Sequence, residues 1–262
     1  MRRTNLFSLN TLRHLQYLPS IIAQIKNWPL FILNYTGFID RPATYFFRNG
    51  TKLKTNSAVD TATITVIFIK KNYGTIPDNA VIVDIGANIG VFSIYAVYGK
   101  NNKIFAYEPA PENFKLLQEN ISLNKLDGKV KLFNLGVGAR SGSRPLYLSA
   151  SPLHSFYAAA ENQRAIEVNC ITLGDIFTQN GLDRIDLLKL DCEGAEFEIL
   201  YNTSDEYFKK IKEIRMEYHN HGKYNILDLE KSLETKGFLN ALEIRETKQS
   251  GIAWFVHCGT NI

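Results

Sequence analysis

The chain has 262 residues, 45% of them hydrophobic, enough to bury one good core and a size at which α/β sheets commonly form one unit. Its 30 basic and 26 acidic side chains leave a net charge of +4, which gives no broad basic footprint for a nucleic-acid backbone. Cys170, Cys192 and Cys258 lie far apart with no C-x-x-C pair, so a disulfide framework is excluded and a reducing, cytoplasmic compartment is expected; no stretch approaches the length of a membrane span.

In chain order, residues 1–39 hold Arg2, Arg3, Arg13 and Lys26 without a single acid, while residues 40–262 balance at 26 basic and 26 acidic. Leu9, Leu12, Leu15, Leu18, Ile22 and Ile25 recur at steps of three or four, which predicts an amphipathic helix in an N-terminal extension, residues 1–44. That helix can dock on the protein's own body or on a second subunit. It can also rest on an anionic membrane surface, a peripheral contact at the inner face of the membrane. Tyr45 to Arg48 and Thr51 to Lys54 flank Asn49-Gly50, a type I′ hairpin signal. Asp60 can cap the next segment, Thr61 to Lys71, whose β-branched content argues for a strand. Pro77 and Asp78 then break the chain.

Val81 to Val83 is a continuous apolar run, as expected of a core strand covered on both faces. It leads into Asp84-Ile85-Gly86-Ala87-Asn88-Ile89-Gly90, a glycine-bounded turn that opens a helix. Gly86 and Gly90 let the turn take unusual dihedrals and a ligand lie against the backbone, and the helix start offers free N–H groups. Asp84 is placed to hold loop amides or meet a ligand's ammonium. Lys103 to Tyr107 forms a second apolar strand ending at Glu108, whose two oxygens suit a ribose diol. A dinucleotide fingerprint would need glycine at Asn88 and a small residue at Val91, and no Tyr-x-x-x-Lys pair occurs. A nicotinamide-dependent oxidoreductase is therefore the second reading, and a non-catalytic cofactor-binding module the third.

Pro109 and Pro111 open a helix over Asn113 to Asn124, and Val130 to Asn134 reads as a third strand with Gly136 to Gly138 as its turn. Arg144 to Leu148 suggests a small hairpin arm, loop 149–163 contains His154 and Ser155, and Val168 to Ile171 is a short strand. Leu173 to Asn180 is a helix ending at Gly181, Ile185 to Leu190 the fourth core strand, and Ala195 to Tyr201 its helix. Ile211 to Tyr218 is the fifth strand, Ile226 to Lys236 a helix, and Phe238 to Ile244 with Ile252 to His257 an antiparallel edge hairpin. Strands alternating with helices predict an α/β fold over residues 45–262, a doubly wound, seven-stranded, mostly parallel sheet.

The turn at 84–90, Glu108-Pro109, and Leu188-Lys189-Leu190-Asp191-Cys192-Glu193-Gly194-Ala195-Glu196 together resemble the FkbM family of class I methyltransferases. The likeness runs from about residue 45 to about residue 240 and takes in Arg48-Asn49-Gly50 and Glu217-Tyr218-His219. It implies a Rossmann-like sheet, a helix rather than a strand over Thr61 to Lys71, and S-adenosyl-L-methionine held by Asp84, Gly86, Ala87, Asn88, Gly90 and Glu108. It also implies O-methylation of a hydroxyl, often on a sugar or a polyketide-like product.

In such a sheet a ligand lies across the carboxyl ends of the strands, so Asp191, Glu193 and His219 are expected to face the transferable methyl group. A hydroxyl is a poor nucleophile until its proton begins to leave, which makes His219 the natural base, with Asp191 to orient it or replace it. Asp191 and Glu193 can instead cap the helix from Ala195. The same residues could hold a divalent ion, but their spacing is not diagnostic, and no metal is expected. Asp191-Cys192-Glu193-Gly194 stands where base-methylating enzymes commonly carry an Asn/Asp-Pro-Pro-aromatic turn. The expected acceptor is therefore a hydroxyl on a small molecule, a glycan or a lipid-linked saccharide, not a nucleic acid.

Overall fold

The computed structural model describes residues 16–149, 154–157 and 163–259. Two short helices, α1 (Leu18–Gln24) and α2 (Trp28–Tyr35), each carry a proline as their second residue, and Ile21, Ile25 and Phe31 are buried against the domain. This part of the amphipathic pattern thus docks on the protein's own body. Leu9, Leu12 and Leu15 lie outside the described residues.

Strands β1 (Ala43–Phe46) and β2 (Lys52–Thr55) form the expected hairpin, but its turn is not type I′. Only Gly50 is left-handed, at φ +101°, while the Asn49 side chain accepts the Thr51 amide at 2.9 Å. That Asx contact supplies the reversal that a left-handed Asn49 would otherwise provide. Helix α3 (Ala58–Ile64) is capped by Ser57 in a capping box with Asp60 as its third residue, so Asp60 seconds the cap rather than making it. The segment expected as one helix over Thr61 to Lys71 runs on from α3 as a π-turn, Thr65–Ile69.

The main sheet joins β3 (Val81–Ile85), β4 (Lys103–Tyr107), β5 (Val130–Phe133), β9 (Leu187–Leu190), β10 (Glu213–His219), β11 (Phe238–Arg245) and β12 (Ser250–His257). Its order is β11-β12-β10-β9-β3-β4-β5, with β12 antiparallel to both of its neighbours and every other pair parallel. Both faces of the central strands are buried: Val83, Ile85 and Phe105 pack into one core cluster, Ile82, Ile104 and Ala106 into the other. Helices α4 (Val91–Val97), α5 (Pro111–Leu123), α6 (Leu173–Asn180), α7 (Glu196–Tyr201), α8 (Asp205–Phe208) and α9 (Ile226–Glu234) complete the layers.

The segments expected as a turn, an arm and a short strand combine into a separate three-stranded sheet. There β8 (Ala165–Ile171) lies between β6 (Gly136–Val137) and β7 (Gly142–Tyr147). The strand order reverses between β3, β4 and β9, which brings the ends of all three loops to one place. Among the described residues no helix is long and apolar enough to cross a membrane.

Candidate active site

The loop after β3 is built on two left-handed residues in close succession, Gly86 at φ +74° and Asn88 at φ +49°. The amides of Gly86 and Ala87 both donate to the Tyr107 carbonyl at 3.0 Å, fastening the loop to the end of β4. A Cβ on Gly86 would lie 1.8 Å from the backbone oxygen of Asp191, so the loops after β3 and β9 touch without room for a side chain. Gly90, at φ +87°, caps α4 and leaves space for Leu117 of α5.

Glu108 is 5% exposed and accepts the Asn88 amide at 2.8 Å and the Ala110 amide at 2.9 Å. Burial raises its pKa to about 7 against the pull of these amides. The Asn113 side chain also bonds this carboxylate, which with three donors keeps some acceptor capacity for a ligand. Beside it, the Asn88 side-chain oxygen is buried without a protein partner.

Asp84 is turned the other way. Fully buried, it accepts from Ser93 Oγ at 2.6 Å and pairs with Lys189 Nζ at 3.0 Å, and it holds neither a loop amide nor a place in the cavity wall. It acts on the loop through Lys189, whose ammonium donates to the Gly86 carbonyl at 2.7 Å. Burial opposes the charge on Lys189, but Asp84 and Asp191 outweigh it and raise its pKa. The signal for this residue was a lysine inside the apolar strand Leu187–Leu190, a position tolerated only when paired.

A cavity of about 240 Å³ opens above these loops. Gly86, Ala87, Asn88 and Glu108 border it, and Leu135, Val137, Leu146 and Phe156 give it an apolar lining. Val59, Ala62 and Val66 of α3 and the π-turn also line it, as do Asp191, Glu193 and Glu217, which are close enough for Asp191 to raise the pKa of both glutamates. His154 also lines it, paired with Glu112 at 2.8 Å. Ser155 stands aside and donates to the Glu193 carbonyl at 2.7 Å.

His219 stands behind the carboxylates rather than in the wall. Its Nε2 lies 3.6 Å from Glu193 and 3.7 Å from Glu217, and its Nδ1 lies 3.6 Å from Glu196. Burial would lower its pKa, but these three carboxylates together raise it to about 10. Glu193 is pushed up to about 7 by burial and then by Asp191. Glu217 rises to about 8 through Asp191 first and burial second. Neither Asp191 nor Glu193 caps α7, which has no side-chain cap; fully buried Glu196 instead holds the turn before it, accepting the Cys192 amide at 2.8 Å and the Gly194 amide at 2.9 Å.

Asp191 is held from the far side. Tyr73 donates its hydroxyl to Asp191 Oδ2 at 3.3 Å, and the Tyr73 carbonyl is gripped by buried Arg215. Arg215 also donates to the Thr75 carbonyl at 3.0 Å and lies 4.4 Å from the Trp254 ring. Among the described residues, no group of three or more His, Cys, Asp or Glu is arranged to hold a metal ion.

A family model described as the methyltransferase FkbM domain matches residues 84–239. "Methyltransferase 1" of Beauveria bassiana is 30% identical over 201 residues, which cover 68% of this chain and 80% of the fungal protein. "31-O-demethyl-FK506 methyltransferase FkbM" of Streptomyces tacrolimicus is 26% identical over 171 residues, 53% of this chain and 65% of that protein. Among solved structures, methyltransferase FkbM from Methylobacillus flagellatus superposes with a TM-score of 0.51 at 15% identity, covering 94% of this chain and 60% of that one; this is a likeness of fold.

Proposed function

Because the chain belongs to the FkbM family of methyltransferases, we propose that it moves a methyl group from S-adenosylmethionine to a hydroxyl of a sugar or other polyhydroxylated acceptor. One observation carries this reading: a single cavity has both a buried ribose-type acceptor at Glu108 and three further carboxylates in its lining. The residues present fit the donor. Glu108 keeps acceptor capacity for a ribose hydroxyl, the unpartnered Asn88 oxygen needs a polar ligand group, and the apolar lining at Leu135 and Phe156 suits an aromatic base. When bound, S-adenosylmethionine supplies an electrophilic methyl on a sulfonium.

The remaining work belongs to the chain. Asp191, Glu193 and Glu217 can accept from neighbouring hydroxyls of the acceptor and so fix which oxygen points at the donor, the positional part of the acceleration. Glu217 then takes the proton of the attacking hydroxyl, its raised pKa matching it to neutral pH. His219, protonated and outside the wall, is in this reading a positioning cation that balances Glu193, Glu196 and Glu217, not the base expected from its place in the sequence. The apolar side chains from α3 that line the cavity suit the apolar face of such an acceptor.

Calorimetric titration with S-adenosylhomocysteine, with NADH and NADPH as controls, tests the donor assignment. Saturable binding of S-adenosylhomocysteine alone is expected, weakened by about 10- to 150-fold in Glu108→Ala through loss of charge-assisted hydrogen bonds. Binding of a nicotinamide would overturn the assignment. Binding of neither would favour a non-catalytic module.

A further inference from the structure

Charge is unevenly spread along the chain in a way that the methyl-transfer reading does not use. Residues 1–54 carry eight basic side chains and one acid, Asp40, against 22 basic and 25 acidic in the remainder. The same segment exposes large apolar groups: Phe38 is 70% exposed, the highest value among the described large hydrophobics, with Phe46 at 43% and Leu33 at 40%.

The β1–β2 hairpin brings charge and ring together. Tyr45 and Phe47 point inward, which leaves Phe46 and Arg48 on the outer face. Lys52 lies directly across from Phe46 and Lys54 across from Thr44. The Lys26 amide donates to the Phe46 carbonyl at 2.7 Å, which brings a further exposed basic residue to the end of β1. Near the other end of α2, the Ile39 amide returns to the Leu33 carbonyl and folds Phe38 back towards the helix end, next to exposed Arg41. Two acids adjoin the face: Asp40, which accepts the Ala58 amide, and Glu119, paired with Lys54 at 2.6 Å. Among the described residues, Lys26, Arg41, Arg48 and Lys52 have no carboxylate ion-pair partner.

We propose that this face binds the surface of a bilayer containing anionic lipid. The cations supply the attraction, and Phe38, Phe46 and Leu33 enter the boundary between head groups and acyl chains. Arg2, Arg3 and Arg13 add charge of the same sign. Exposed leucine and phenylalanine beside the cations favour lipid over a nucleic acid, which would require ring faces spaced for stacking. Helix α2 packs on α3, which lines the acceptor cavity. Resting on the reading of that cavity given above, this position suits a lipid-linked hydroxyl acceptor.

Co-sedimentation of the full chain tests the proposal, with vesicles of phosphatidylcholine alone or mixed equally with phosphatidylglycerol, at low and high salt. The protein is expected to pellet with the mixed vesicles only, and less at high salt. Reversal of Lys26→Glu, Arg48→Glu and Lys52→Glu together should weaken binding by about 100-fold or more. Phe38→Ser with Phe46→Ser should weaken it by about tenfold or more. Calorimetry with S-adenosylhomocysteine should be unchanged in both variants, which reports the cavity separately; a glutamine triple replaces the reversal if that variant does not fold. Absence of wild-type binding, equal binding to neutral vesicles, or binding unchanged in both variants would overturn the proposal. So would single-stranded RNA binding, lost in the variants, in a protein that ignores vesicles.

Discussion

Glu217 faces the cavity with a pKa raised to about 8 by Asp191 and by burial, above the value of about 7 for Glu193 beside it. If it takes the acceptor's proton, kcat/KM should rise with pH through about 8 and level above it. Glu217→Gln should lower kcat by about 10²–10⁴-fold and remove that limb while leaving S-adenosylhomocysteine affinity near wild type. A pH–rate profile measured with the variant checks this; a rate within about twofold of wild type would return the role to Glu193 or Asp191. The sequence displayed the acids at 191, 193 and 217 but not their division of labour. Only two residues lie between Glu193 and Glu196, yet one faces the cavity and the other is fully buried, because Glu193 turns the chain at φ +52°. Such a reversal at a non-glycine residue has no sequence signature.

Among the elements, the strands β3, β4 and β9 were legible because each is a short, largely apolar and buried run followed closely by glycine or an acid. β6 is two residues long and β7 contains Pro145, so neither carries a period from which their side sheet could be read. The loop between the π-turn and β3 was equally opaque. Its backbone carbonyls at Tyr73 and Thr75 are satisfied by Arg215 from a strand more than a hundred residues away. Arg215→Lys keeps the charge but loses the planar fork that serves these carbonyls and both Glu213 oxygens. It should cost about 2–4 kcal/mol of stability. It should also lower kcat while sparing S-adenosylhomocysteine affinity, because Tyr73 would no longer hold Asp191 in place. Denaturant titration and calorimetry on the same variant check both parts; weakened cofactor affinity with unchanged kcat would remove Arg215 from a positioning role.

For the molecule as a whole, four raised pKa values act in one direction. Glu108, Glu193 and Glu217 rise from 4.5 to about 7, 7 and 8, and His219 from 6.5 to about 10. The folded state therefore binds more protons than the unfolded chain across this range, and the associated stability is lost as pH rises through the folded values. Tm should fall steadily between about pH 6 and pH 9, and by less in Glu217→Gln, as measured by calorimetry. A constant or rising Tm would mean that the acid cluster is not buried together.

The contact between Gly86 and the Asp191 backbone has an evolutionary consequence. Donor loop and acceptor loop abut so closely that neither can take up an insertion or a bulkier residue without displacing the other. A lineage seeking a new acceptor therefore has little freedom in the residues that carry the chemistry. Its freedom lies in the lining residues that meet no such constraint, Val59, Ala62 and Val66 together with Leu146 and Phe156. Relatives that share the 84–90 turn and Asp191 should accordingly diverge in acceptor by substitution along α3 and around the side sheet, with the chemical end left as it is.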